Sequence, residues 1–148
     1  MSADVRQKFA MAICTIAISV LCAGCVQTTP APNAPSVSGD RAIADAFRSK
    51  RSAVQVQGEG VVTRILSDDN DGARHQRFIV RLESGQTLLI AHNIDVAPRL
   101  PAIRPGDSVA FYGEYAWNSE GGVIHWTHHD PDGQHVAGWL RLNGSTYQ

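Results

Sequence analysis

Apolar and polar residues alternate with a period of two over most of residues 54–142, and turn-forming residues interrupt the pattern about every ten positions. That period is the signature of strands with one buried face, and it excludes a helical bundle. Val54, Val56, Gly58, Gly60 and Val62 share one parity before Ile65 breaks it. Gly58 and Gly60 predict a bulge or bend in this first strand. After the loop Ser67 to Gly72, Phe78, Val80 and Leu82 alternate with Arg77, Ile79 and Arg81. Ser84-Gly85 turns the chain into a strand over Thr87 to Ile94. Pro98, Pro101 and Pro105 then argue against a long helix between residues 95 and 106. Strands follow over Val109 to Tyr115, Val123 to His128 and His135 to Leu142. Ahead of them Asp40 reads as an N-cap, and Ile43, Ala46 and Phe47 recur at helical spacing, so a short helix is expected from about Arg41 to Lys50. The expectation is an all-β fold: a small antiparallel barrel of five to six strands with one short N-terminal helix.

The run Ile103 to Glu114, with Gly106-Asp107-Ser108-Val109 and Gly113, resembles the fourth strand of many OB-fold domains. The barrel is therefore expected to be OB-like.

The N-terminus bears on location. Arg6 and Lys8 precede the apolar run Phe9 to Leu21, and small residues follow at Ala23 and Gly24. This is the order of a secretory signal over residues 1–25. Leu21-Cys22-Ala23-Gly24-Cys25 resembles the lipobox of bacterial lipoproteins, which implies lipidation of Cys25 and a membrane partner through that lipid. The expected location is the periplasm or outer membrane, with plain secretion as the alternative. Residues 26–40 hold three prolines and no aromatic residue, a linker composition unable to bury a core. The domain is expected over residues 41–148.

All three cysteines, Cys14, Cys22 and Cys25, lie in that first segment. The domain proper therefore has no disulfide and no thiolate zinc site, and any metal must take His and carboxylate ligands. Beyond residue 25 the chain carries 11 basic and 13 acidic residues. That balance argues against nucleic acid as a partner, which needs many unopposed cations.

Four of the six histidines, His125, His128, His129 and His135, fall in the run H-W-T-H-H-D-P-D-G-Q-H. Imidazole is both a common metal ligand and a proton carrier near neutral pH. On one strand His125 and His129 would stand roughly 13 Å apart, too far for one ion. Asp130-Pro131-Asp132-Gly133 has Pro and Gly where a type I turn with a left-handed exit requires them. A hairpin about that turn would face His129 with His135 and His125 with Trp139. Ile124, Trp126, Val136 and Leu140 would then form the core face, with His128 at its end. His129 and His135 are thus the expected pair for a divalent, zinc-like metal, with Asp130, His125 and His128 as further candidate ligands. His75 and His92 could complete the site or serve as acid–base residues.

Other signals are weaker. The loop Ser67 to Gly72 lacks the first acidic residue of a calcium loop and the glutamate expected at its twelfth position, where Phe78 stands, so it reads as an acidic turn. Leu89 to Pro98 resembles a segment of the thermonuclease family, but Arg99 occupies the place of the catalytic glutamate. Arg64, Arg74, Arg77 and Arg81 could form an anion-binding strip. Tyr112, Tyr115, Trp117, Trp126 and Trp139 could offer stacking surfaces.

Arg74 to Phe78, Ala91 to Asp95 with Ala97 to Arg99, Phe111 to Tyr115 with Trp117-Asn118, and Gly122 to Pro131 resemble an uncharacterised bacterial family of small exported proteins, a domain of unknown function. The resemblance covers about 90 residues and implies no activity. The reading is an exported, lipid-anchored OB-like domain with a His-rich site for a metal or small ligand. A metal-dependent phosphodiester hydrolase and a structural envelope protein are the other classes left open.

Overall fold

The computed structural model describes residues 37–148. The expected export segment with Cys25, and the expected linker as far as residue 36, lie outside them. A helix α1 (Val37–Arg48) is followed by seven strands: β1 (Val54–Ile65), β2 (His75–Arg81), β3 (Thr87–Asn93), β4 (Ser108–Ala116), β5 (Val123–His125), β6 (Trp139–Leu142) and β7 (Ser145–Tyr147). The strand order β1-β2-β3-β5-β4, with β4 also paired to β1, closes a five-strand barrel. β6 and β7 extend the sheet from β4. The expected small all-β barrel is what forms, with differences in its pairing. The junction of β3 and β5 is parallel, joining Leu89 to Val123 and Ile90 to Ile124. A seventh strand, β7, follows Leu142 and pairs back onto β6.

Alternation decides the interior. Phe78 and Val80 from β2, Ile90 from β3, Phe111 from β4, Ile124 from β5 and Leu140 from β6 are fully buried. Ile43 and Ala46 bring one face of α1 into the same core. The helix starts four residues earlier than the sequence predicts, so Asp40 lies in its first turn and is not the N-cap. Its carboxylate instead accepts the Ser84 amide at 3.2 Å, tying the helix to the β2–β3 turn. No helix forms among residues 95–107, as the prolines there require.

The glycines of β1 do not mark its bulge. A Cβ at Gly58 would lie 2.7 Å from the Phe111 ring, and one at Gly60 would lie 3.0 Å from Val80, so both are space for the core. The bulge falls at Thr63, where the β1–β2 register shifts between Val62 and Arg64.

The predicted final hairpin does not form. β5 pairs with Glu114 to Ala116, and β6 pairs with Val109 to Tyr112 on the same edge of β4, both antiparallel. The two short strands therefore run in the same direction, end to end, and cannot face each other. His125 lies opposite Glu114 and Trp139 opposite Tyr112, so the expected His125–Trp139 and His129–His135 pairings are absent. Residues 126–138 leave and rejoin this line as an excursion. Trp126 starts it in a left-handed conformation (φ 52°), which ends β5. Val136, expected in the core, is 57% exposed.

Gly113 sits opposite the break. A Cβ there would meet the His125 carbonyl oxygen at 2.5 Å and the Ile124 and Thr127 methyls at 2.9 Å. Gly113→Ala should cost about 1–3 kcal/mol through this overlap. Urea unfolding of the two proteins measures the difference, and an unchanged midpoint would show that the excursion can move off β4 freely.

Candidate functional site: the histidine-rich end of the barrel

The inward alternation of β2 and β3 ends on two polar residues, Gln76 and His92, which face each other across the ladder. Both are buried and fully used. Gln76 donates Nε2–H to the Leu100 carbonyl at 3.0 Å and accepts the Leu100 amide at 2.9 Å. His92 Nε2 lies 3.1 Å from the Pro98 carbonyl, which can only accept, so Nε2 carries the proton. Nδ1 then accepts the Thr127 hydroxyl at 2.9 Å. These two side chains fasten the connection between β3 and β4 across one end of the barrel. His92 also anchors the excursion, because Thr127 is its second residue. Burial pushes the His92 pKa down to about 4, outweighing the Pro98 hydrogen bond, so the ring is neutral at pH 7.

The excursion is built around Asp130. The turn predicted at Asp130 to Gly133 is present: the Gly133 amide donates to the Asp130 carbonyl at 3.2 Å, and Gly133 is left-handed. The buried Asp130 carboxylate accepts the amides of Gln134 at 2.6 Å, His135 at 2.7 Å and Asp132 at 3.0 Å. These bonds, the one from His135 first, hold its pKa below the usual carboxylate range. The loop closes where the Gly138 amide donates to the His128 carbonyl at 2.9 Å. At Gly138 there is no room for a side chain, since a Cβ would lie 2.0 Å from the Trp126 carbonyl oxygen.

This framework places the remaining histidines. His128 is buried and donates Nδ1–H to the His129 carbonyl at 2.8 Å, leaving Nε2 as its basic nitrogen. His135 stacks on the Trp126 indole, with ring centroids 3.6 Å apart and planes 11° apart. Its Nδ1 lies 3.6 Å from Asp130 Oδ2. His125 points outward from β5 with Nε2 3.4 Å from Glu114 Oε1. His129 is exposed. His75 opens β2, opposite Asn93. Electrostatic coupling links His92 to His128 and His75, and His125 to His135, His75 and His128. Five histidines from four segments therefore gather at one end. Burial lowers the His125 pKa, opposed by Glu114. Among the described residues, no three His, Asp or Glu side chains stand close enough together to hold a metal ion as they are.

Glu114 is the site residue that sequence reasoning missed. Its signal was available: Tyr115 and Ile124 both point inward, so Glu114 and His125 share the outer face.

Residues 25–148 match the family described as protein of unknown function, DUF3465. The chain belongs to the DUF3465 family. No curated protein matches it. In this DUF3465 domain half of the arginine strip is neutralised, because Arg74 pairs with Asp95 at 2.7 Å and Arg77 approaches Asp69 at 3.9 Å. Asp68 of the acidic loop pairs with Arg99. Among the aromatic residues, Tyr115 is core, while Tyr112 and Trp139 pair on the outer face at 6.2 Å, with Arg141 over Trp139.

The His92 strut sets a pH dependence. Its folded pKa lies below the unfolded value of 6.5. The unfolded chain therefore binds the proton first, and stability is full above pH 6.5 and falls as pH drops towards 4. The shift corresponds to about 3 kcal/mol at most. His92→Gln, which keeps a donor and an acceptor, should flatten that fall in urea midpoints measured between pH 7 and pH 4.5. An unaltered pH slope would remove His92 as its source.

Proposed function

We propose that the protein is an exported, lipid-anchored, OB-like binding module whose histidine-rich end takes a divalent, zinc-like ion. The observation that carries the metal reading is the 3.4 Å separation of His125 Nε2 and Glu114 Oε1. Zinc–ligand bonds of about 2.0–2.1 Å put two ligand atoms of a tetrahedral site about 3.4 Å apart. That gap is long for a hydrogen bond and suits two atoms sharing an ion. Gln55, directly across the β1–β4 ladder from Glu114, adds support: its buried Nε2 has no hydrogen-bond partner among the described residues. A water on the metal would give it one. His135 is the candidate third ligand, since it rests on Trp126, the residue after His125. Asp130 serves better as the loop's organiser than as a ligand, because its oxygens hold three amides.

Zinc titration of the full chain by calorimetry should give one equivalent bound at pH 7.5, weakening as pH falls and His125 takes a proton. His125→Ala and Glu114→Gln should each weaken it at least tenfold, and His135→Ala should weaken it measurably. Absence of zinc and nickel binding, or unchanged affinity in His125→Ala, would end the metal reading.

The export reading rests on Arg6, Lys8, the apolar run Phe9 to Leu21, and Cys25. Expressed in a Gram-negative host, the protein should fractionate with membranes and take up labelled palmitate. Cys25→Ser should abolish the label and release the chain from that fraction. Equal membrane association without label would favour an uncleaved anchor.

A further inference from the structure

A concave surface also lies on the barrel wall, built from residues the histidine end does not use. It is a cleft of about 440 Å³, within the range of small-ligand sites. Ile79 of β2 and Leu89 of β3 form its floor, Thr63 and Arg64 of β1 one side, and Asn118 and Glu120 of the β4–β5 turn the other. Ile79 and Leu89 pair across the ladder, so their outward side chains make one continuous apolar patch. The β1 bulge falls at Thr63, whose hydroxyl donates to the Ile79 carbonyl at 3.3 Å. The bulge turns Arg64 off the regular register.

The opposite side is held just as firmly. Asn118 Oδ1 accepts the amides of Glu120 and Gly122, both at 2.9 Å, which leaves the Asn118 NH2 as a donor. The Gly122 carbonyl accepts the Leu89 amide at 3.0 Å, fixing the turn to β3. Arg64 and Glu120 are exposed, and among the described residues neither has an ion-pair partner.

We infer that this cleft binds a short zwitterionic peptide of two to three residues with an apolar side chain. Arg64 receives the terminal carboxylate, Glu120 the terminal ammonium, and Ile79 with Leu89 the side chain. Asn118 donates to a peptide carbonyl. Arg64 belongs to β1 and Glu120 to the turn that precedes β5, with β2 and β3 between them, three strand spacings or roughly 14 Å at the backbone. Three extended residues span about 10 Å, and the long Arg64 and Glu120 side chains cover the rest. One cation and one anion at the two sides select a ligand with both charges over a simple anion or a hydrocarbon. The cleft works independently of a metal at His125.

The test is calorimetric titration of the full chain with the tripeptide Ala-Leu-Ala, its N-acetyl form and its C-terminal amide. The free peptide should bind, and each blocked form should bind at least tenfold more weakly. Arg64→Gln should weaken the free peptide at least tenfold while leaving the amide unchanged. Glu120→Gln should do the same for the free peptide while leaving the N-acetyl form unchanged. Both positions are exposed, and circular dichroism confirms that the variants fold. No binding at millimolar peptide, equal binding of free and blocked forms, or loss of binding in His125→Ala with none in Arg64→Gln would overturn the assignment.

Discussion

The structure depends on β4 having both of its edges filled. One edge pairs continuously with β1 from Ser108 to Tyr115. The other is shared by two strands in line, β6 on its first half and β5 on its second. A strand buried in a barrel cannot leave its amides and carbonyls unpaired. β4 therefore needs partners along its whole length, and Gly113, between the two halves, lets the neighbouring line be interrupted without exposing it. The barrel then closes through only two parallel register pairs between β3 and β5. That closure is short because β5 is short, and β5 is short because the chain leaves the line at Trp126.

Among the described residues no helix crosses this end of the barrel, and polar side chains hold the crossing segment instead. Gln76 and His92 occupy inward positions where their β2 and β3 neighbours are Phe78 and Ile90. Each spends its hydrogen-bonding groups on the segment that crosses the end, at Leu100 and Pro98. A neutral imidazole suits this work because it offers one donor and one acceptor at fixed angles. Its neutrality follows from burial. His125 stays on the surface beside a carboxylate. One residue type is thus divided between scaffold and surface by depth alone.

Much of this was legible in the sequence. Period-two alternation located the strands from Val54 to Tyr115, and the Ser84-Gly85 turn and proline-rich connection were as read. The turn at Asp130 to Gly133 also forms. The hairpin it seemed to serve does not, and the reason is physical. Turn chemistry is local, whereas pairing is decided by which edge is open. With β1 on one side of β4, residues 123–125 and 139–142 both pair with the remaining edge. The alternation of Trp126 and Val136 with their neighbours carried no information about that competition. Glu114 was legible by parity, since Tyr115 and Ile124 both point inward and β4 leads directly into β5.

Because β5 and β6 are collinear, the two ends of the excursion are set by the sheet and not by the loop between them. Lengthening, shortening or rewriting residues 126–138 leaves the separation of its anchor points unchanged. Thr127, which bonds His92, and Gly138, which has no room for a side chain, are two positions there that the barrel fixes. The barrel in effect presents a cassette. Selection can rework the imidazole and carboxylate content of that segment without renegotiating the core.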